Sequence, residues 1–524
     1  MIYFLTDWNT ELEKLESNII FNTTKLFNTG EIDTKIINLQ MTPFLSYYVN
    51  RFEFYNSNNI ESFLDILPHQ FACVYAPLTM NDLQFPKSYE KTYTRTNVLL
   101  SKDGVIKGKV FFNQFGFVSQ VCYYSDFGKE VQTFSEKGYI LFKEFFDSKG
   151  NFVEKQVLDE GGQLILTEYD ETVVIADVYR KYFLREIYAS FKEFCIELVN
   201  RFLIHFNPEK DRIVIDGTSR WLIEIAKGIK ASESIISIFS GDLQECISNI
   251  NQNLEFITKG KQIITDQYLL KDIDVLNLKN KVEYMPFFPT RLTLGESNRY
   301  LEQFVYWEIS SFDAQIKQIF QEFLRIKLTY HDVCLIIKSE NSLDLKYAQD
   351  ILEAFILKNF ETTLTSSEFE LVKHYYEALE NDEMTPVLRD LFHASKKEKQ
   401  GFSRIIEAYL FFKGITYRHS SSVKTLTEDF NKVRIFVDQR DKGDFFNHSL
   451  ATSSGIPIIS KRPSPYLFEN KNGMIIGTDN GVIEVVESYL KNTDKWNQNL
   501  VESVGIIEQY SPDGLLNRWK EVMN

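Results

Sequence analysis

The sequence predicts an α/β protein made of two doubly wound parallel layers, with an antiparallel β-meander inserted into the first. Three observations carry this. Short apolar runs bounded by Gly, Pro and Asp alternate with helical periodicities at both ends of the chain, the pattern of parallel strands covered on both faces. Six glycines, from Gly104 to Gly162, recur at intervals of twelve, twelve, ten, twelve and twelve residues. Pro286-Phe-Phe-Pro289 separates one α/β set from a second, as a linker would. At 524 residues the chain is too long for one ordinary core.

The first layer opens with a buried strand at Ile2-Tyr-Phe-Leu5. A helix from Glu11 to Phe27 ends at Gly30, and Lys35-Ile-Ile-Asn-Leu39 is the second strand. Pro43 sits near the first turn of a helix running to Arg51, where its missing N–H is harmless. No Gly-x-Gly-x-x-Gly follows the first strand, so the dinucleotide fingerprint is missing. After the insertion, Val178 to Phe206 reads as a long amphipathic helix. The layer then resumes with strands at 211–217, 235–239, 262–265 and 282–285.

Between the glycines lie alternating, aromatic-rich segments: 105–112, 117–124, 130–134, 139–146, 152–158 and 164–169. Glycine supplies the positive φ of tight hairpin turns, so even spacing predicts a meander of about six strands. Such a sheet can leave one face wet, and a wet aromatic face is an interaction surface. A sheet packed on its own domain is an equally good reading.

Beyond the linker, strands are predicted near 304–307, 333–338, 415–419, 433–437, 457–460 and 474–476. Helices fall at 312–328, 343–360 and 402–412. The division that follows is a discontinuous first Rossmann-like domain (1–91 and 177–285), the meander (92–176), a second Rossmann-like domain (286–495) and a C-terminal helical segment (496–524). That last segment is expected to cross back to the first domain. A cleft between two such layers is the usual place for a ligand.

Composition narrows the function classes. The net charge of −15 disfavours nonspecific binding to nucleic acid or to an anionic membrane surface. Lys396-Lys-Glu-Lys399, the densest basic spot, reads as a solvated helix face. Five scattered cysteines without a Cys-x-x-Cys pair read as free thiols of a reducing compartment. Seven histidines without ligand spacing predict no metal site. The N-terminus lacks a basic flank for a signal peptide, and no apolar run reaches about 18 residues, so a cytoplasmic protein is expected. Phe (44) and Tyr (27) are abundant, which suits large aromatic sheets, carbohydrate-facing surfaces or simply an A/T-rich coding sequence.

The order of elements from Val433 to Tyr489, with its Ala451…Gly455-Ile-Pro457 corner, resembles the nucleotide-sugar half of a GT-B glycosyltransferase. The fold implied is GT-B-like, with two Rossmann-like domains facing a cleft. In retaining members of that fold, paired Glu residues grip the sugar and ribose hydroxyls, the second of them five residues before the Gly of the corner. Leu450 stands there, and Lys442 eight residues earlier. Losing a charged hydrogen bond weakens binding by roughly 1.5–3 kcal/mol. Asp438, Asp441 and Asp444 could substitute only after a slip of register. His448 lies near Asp438 in sequence, but no nucleophile is recognisable beside them. No Gly-x-Ser-x-Gly or Walker A motif is present.

Three segments, Phe288-Pro-Thr-Arg-Leu-Thr-Leu-Gly-Glu-Ser-Asn-Arg299, Val433–Gly455 and Trp496-Asn-Gln-Asn-Leu-Val-Glu-Ser-Val504, together with the opening strand and the meander, resemble one family. It is the accessory secretory protein one family, the glycosyltransferase-like member of a trio serving the accessory Sec pathway of Gram-positive bacteria. The resemblance implies a non-catalytic protein without cofactor, peripheral to the membrane at most. It implies binding of glycan or of a glycosylated serine-rich repeat adhesin, and support of its export. The partners implied are the second and third accessory secretory proteins, the accessory SecA ATPase and the adhesin, with no nucleic acid. The alternative is an active or stabilising glycosyltransferase subunit acting on a cytoplasmic adhesin. The candidate remnant of a glycan or phosphate site is Arg291, Arg299, Asp438, Ser453 and Ser454, with no catalytic residue and no metal ligand. Surface ion pairs of the two arginines with Glu296 or Glu302 are an equal alternative. Residues 6–34 are shorter and poorer in Trp and Tyr than the family pattern.

Overall fold

A computed structural model describes residues 1–9, 18–50, 60–62, 76–170, 172–241, 243–265, 269, 282–293, 296–419, 421–441, 445–477 and 481–524. Among these residues its first sheet has seven strands, all parallel. Ile2–Thr6 lies inside the sheet, flanked on one side by Thr34–Asn38 and Ile60–Ser62. On the other side lie Arg212–Asp216, Ile235–Phe239, Lys261–Ile264 and Val282–Tyr284. Ile213, Val214 and Ile215 are fully buried, as are Phe4 and Leu5. That is why these strands read as unbroken apolar runs rather than alternating ones.

The second sheet is a meander of ten strands in strict sequence order, from Glu90–Tyr93 to Ile187–Tyr188. All six regularly spaced glycines adopt positive φ, between 76° and 145°. Four of the turns share one construction. At Asn113, Ser135, Asp147 and Asp159 a side-chain oxygen accepts from the backbone N–H two residues on, and the glycine three residues on returns an N–H to the backbone carbonyl. Register shifts sit close to all four turns. This is the type I turn plus bulge expected of short polar residues followed by glycine. The expected six strands become ten because Asn97–Lys102 precedes the first of these glycines and the outermost hairpins close without that glycine cue. Thr94 caps the first through Asn97, and the 168–173 turn has no glycine.

The expected helix from Val178 to Phe206 is not continuous. Arg180–Tyr182 is a 3₁₀ turn, Ile187–Tyr188 pairs with Val173 and Val174, and the helix is Phe191–Phe202, started by the Ser190 cap. Tyr188 Oη donates to Glu197 at 2.5 Å, so the apolar spacing before Ser190 serves an edge strand. The part of the predicted 11–27 helix before Asn18 lies outside the described residues; Ile19–Thr29 is helical behind its Asn18 cap. Three helices the periodicity did not single out, Ser367–Glu380, Pro386–Glu398 and Val423–Lys432, pack on the second layer through Phe369, Phe392 and Phe430.

The third sheet is six-stranded and parallel. Gln303–Ile309 lies beside Val433–Gln439; outward from the former come Val333–Ser339 and Ile415–Arg418, and outward from the latter Ile458–Ser460 and Gly473–Ile475. The C-terminal segment is two helices, Thr493–Gln509 and Pro512–Met523, broken where Ser511 caps and Pro512 restarts. Trp519 is fully buried against Phe27, their rings 5.0 Å apart, and Arg518 pairs with Glu283 at 2.7 Å. The second of these helices therefore rests on the first layer. Truncating so large a buried ring would cost about 3–5 kcal/mol. Cys122, Cys195, Cys246 and Cys334 are free and buried; Cys73 lies outside the described residues.

Candidate functional site

In an open parallel sheet, ligands meet the carboxyl ends of the strands where the chain reverses its direction of travel across the sheet. In the third sheet that point lies between Gln303–Ile309 and Val433–Gln439. Glu308 and Asp438 pair across it in register, each at most 4% exposed. Two carboxylates so deeply buried require compensation.

The compensation is internal. Arg440, two residues beyond Asp438, turns back on it with two charge-assisted bonds of 3.0 Å, and its backbone N–H adds a third. The same guanidinium lies 3.4 Å from Glu308. Lys338, at the end of the neighbouring strand, pairs with Glu308 at 2.6 Å, and Asn447 donates to it at 2.7 Å. His448 Nε2 donates to Asp438 at 2.8 Å while Nδ1 meets Ser464 Oγ at 2.9 Å. Burial alone would push the Asp438 carboxyl up; the Arg440 charge and the His448 bond outweigh it and hold it well below the usual carboxylate range. The helix Phe446–Ser453 starts directly after these groups and positions Asn447 and His448 on its inner face.

Ser464, His448 and Asp438 have the components of a hydrolytic triad. Their arrangement is different. The serine meets Nδ1 and the carboxylate Nε2, the reverse of the serine-protease arrangement. All three are nearly inaccessible, and Asp438 is already gripped by Arg440. The cluster can hold the strand end, the helix and the 460–466 loop together; it cannot meet an acyl substrate. Along the sequence no nucleophile is recognisable beside His448 and Asp438. The i+10 spacing from Asp438 and i+16 to Ser464 carries no periodic signal.

The predicted site residues do not converge. Asp438 belongs to the buried network. Ser453 lies at the other end of the same helix, where its hydroxyl donates to Ser449 O at 2.7 Å and accepts from the Arg291 backbone N–H at 3.0 Å. Ser454 caps the helix in an αR conformation. The Arg291 side chain is exposed close by. Arg299 is exposed in the Glu296–Arg299 turn, whose Asn298 accepts from Arg434 at 3.0 Å. Arg434 is near the start and Asp438 near the end of the strand Val433–Gln439, so Arg299 lies roughly 13 Å along the sheet from the switch point. Neither arginine pairs with Glu296 or Glu302 among the described residues. Leu450 is half-buried against the apolar cluster that includes Phe436 and Ile458, an apolar setting. Lys442 and Asp444 lie outside the described residues.

The three sequence-specific segments meet one another instead. Thr293 bonds Ser453 O, Thr290 bonds Ile507 O and Tyr510 O, Trp496 Nε1 donates to Arg434 O, and the Arg434 guanidinium stacks 4.4 Å over the Trp496 ring. They tie the linker and the crossing helices to the second layer.

The first sheet has its own switch point, between Ile2–Thr6 and Arg212–Asp216. Asp216 accepts from the Thr218 N–H and hydroxyl at 2.8 and 2.6 Å, and Asp7 accepts from Ser219 at 2.5 Å. Desolvation, with Asp7 and Glu245 nearby, pushes the Asp216 carboxyl up to about 6. Among the described residues no group of acidic, Cys and His side chains could hold a metal ion, and no helix is long and apolar enough to cross a membrane.

A family model described as accessory Sec system protein, accessory secretory protein 1, matches residues 4–524. A curated relative of that description from Streptococcus gordonii is 20% identical, covering 98% of this chain and 94% of its own. The crystal structure of accessory secretory proteins 1, 2 and 3 in Streptococcus pneumoniae contains a chain of the same fold, with TM-score 0.71, 16% identity and coverage of 100% and 99%. The pneumococcal O-GlcNAc transferase GtfA, solved with UDP and GlcNAc, matches at TM-score 0.64 and 12% identity, covering 100% and 98%. The fold is GT-B-like.

Proposed function

The chain belongs to the accessory Sec system protein family of accessory secretory protein 1, and from that premise we propose that it is a non-catalytic subunit of the accessory Sec pathway. It binds the glycan or glycosylated stretches of a serine-rich repeat adhesin and supports their export. It works with the second and third accessory secretory proteins and hands its cargo to the accessory SecA ATPase. The observation that carries the non-catalytic reading is the neutralised switch point. A nucleotide sugar needs free cationic or N–H donors for its diphosphate and a carboxylate for its sugar. Here Arg440 and Lys338 are held by Asp438 and Glu308, and Leu450 occupies the place of the sugar-binding Glu.

The meander supports the binding part of this reading. On one face, cross-strand neighbours place Tyr123, Glu130, Phe145 and Glu154 in one row and Gln132, Lys143 and Gln156 in the next. All seven are half-buried, and Gln132 and Gln156 bond Glu130 and Glu154 at 2.8 and 2.6 Å. Amides, carboxylates and aromatic rings on a flat surface suit an extended glycopeptide. Arg291 and Arg299, exposed near the linker, are cations available to an anionic group.

The test is direct. The purified chain is expected to release no nucleoside diphosphate from UDP-GlcNAc, and to co-purify with the second and third accessory proteins and with glycosylated adhesin. Turnover abolished by Lys442→Ala or Asp444→Asn would replace this reading with a transferase. Co-purification with an active transferase in place of secretion proteins would favour the stabilising-subunit alternative.

A further inference from the structure

The connection from Val333–Ser339 to Ile415–Arg418 contains four helices, and the first of them, Ser342–Phe360, is apolar on two sides. Its inner side buries Leu345, Ala348, Leu352, Ile356 and Phe360. Its outer side leaves Leu343, Tyr347 and Leu357 more than half exposed. Lys346, Asp350 and Glu353 interrupt that outer side, but apolar side chains on two sides of a helix are normally covered on both. Between this helix and Ala314–Thr329 runs a groove of about 470 Å³. Its floor is Leu328, Ile351, Ala354 and Phe355; its charged rim is Lys317, Arg325 and Lys358, with no acidic side chain in the lining. In a chain of net charge −15 that rim is a local reversal.

We propose that this groove docks an acidic amphipathic helix of a partner protein. Leu343 to Lys358 spans about 22 Å as helix, room for four turns of a third helix lying along the pair. Such a helix would set apolar residues, three and four apart, against Ile351, Phe355 and Tyr347, and carboxylates against the three cations, the helix-in-groove mode of recognition. Arg325 is paired with Glu322 on its own helix, an exposed contact that a partner carboxylate can replace at little cost. A second copy of this chain fits poorly, since two bodies of charge −15 repel.

The inference rests on the assembly reading above and names its surface, with the partner helix belonging to the second or third accessory protein. The experiment co-expresses the full chain with both proteins. The variant is Lys317→Glu, Arg325→Glu and Lys358→Glu together, all exposed positions, so its thermal unfolding is expected to match the wild type. A tenfold or greater loss of co-purification supports the groove. Retention at the wild-type level overturns it and leaves the assembly reading standing. Failure of the wild type to co-purify overturns both. A photo-crosslinking residue at position 347 reads the occupant: adducts to an acidic amphipathic helix of a partner support the proposal. Adducts to lipid, to a second copy of this chain or to neither protein overturn it.

Discussion

Asp216 and Asp438 lie at the carboxyl ends of strands beside the switch points of the two parallel sheets, and the molecule treats them in opposite ways. Asp216 is held by the N–H and hydroxyl of Thr218, and desolvation, with Asp7 and Glu245 nearby, pushes its carboxyl up to about 6. Asp438 is held by Arg440 and His448 and stays well below the usual range. Same fold, same topological place, different electrostatics. The lesson is that the doubly wound layer supplies a crevice, while the charges around it decide whether the crevice is available. In the second layer the potential ligand contacts have been turned inward on one another.

The linkage signs make the contrast measurable. A carboxyl easier to protonate when folded stabilises the protein below about pH 4 and ceases to do so as pH rises through about 6, so the Asp216 contribution falls across that window. A carboxyl harder to protonate when folded stabilises the protein above about pH 4 and is lost only as pH falls through its depressed value. Asp438 therefore contributes throughout the neutral range.

The largest effect is expected from stripping Asp438 of its partners. Arg440→Ala should destabilise the chain by about 3–5 kcal/mol, because a buried carboxylate loses its paired cation, and His448→Ala by about 2–3 kcal/mol, because Asp438 keeps Arg440. Urea denaturation followed by tryptophan fluorescence measures it, with Trp307 bonded to the adjacent Gln439 at 2.5 Å as a local reporter. A loss under about 1 kcal/mol would mean that water reaches this cluster. Lys338→Ala should cost less, about 2–3 kcal/mol, since Glu308 keeps Asn447 and Arg440.

Asp216→Asn should act with the opposite sign. It keeps the acceptor for Thr218 and removes the charge, so thermal unfolding at pH 8 is expected to show a gain of about 1–3 kcal/mol. The slope of stability between pH 4 and 6 should flatten. A destabilised variant at pH 8 would show that the two switch points are alike after all. The smallest effect is expected at Arg291→Ala and Arg299→Ala, within about 0.5 kcal/mol by the same unfolding measurement, since both side chains are exposed and unpaired among the described residues.

Much of the scaffold was legible in the residues. A strand buried on both faces needs apolar side chains at every position, and the runs at Val333–Ser339 and Val433–Gln439 could be placed to within two residues for that reason. The six meander glycines announced turns because few other residues tolerate their φ. Reading failed where one pattern serves two structures. The apolar spacing of 178–189 fits a helix, yet it belongs to a 3₁₀ turn and an edge strand. Helices 367–380 and 386–398 bury few apolar side chains, so their periodicity is faint.

The candidate site was less legible than the fold. Asp438 was visible as a strand-end carboxylate, but Glu308, Lys338, Arg440, His448 and Ser464 were not visible as its neighbours. They come from two strands that adjoin only after a parallel crossover of well over a hundred residues, plus a third strand, a helix and a loop.

The sequence by itself determined the two layers, the inserted meander, the missing carboxylate at Leu450 and the family. Each depends on residue type at short spacing, where local geometry is nearly fixed by periodicity, φ preference and punctuation. Only the tertiary structure decided what the buried charges do. Whether a carboxylate is free, neutralised or raised in pKa depends on partners brought within about 3 Å by sheet order and helix packing. No spacing along the chain encodes that distance.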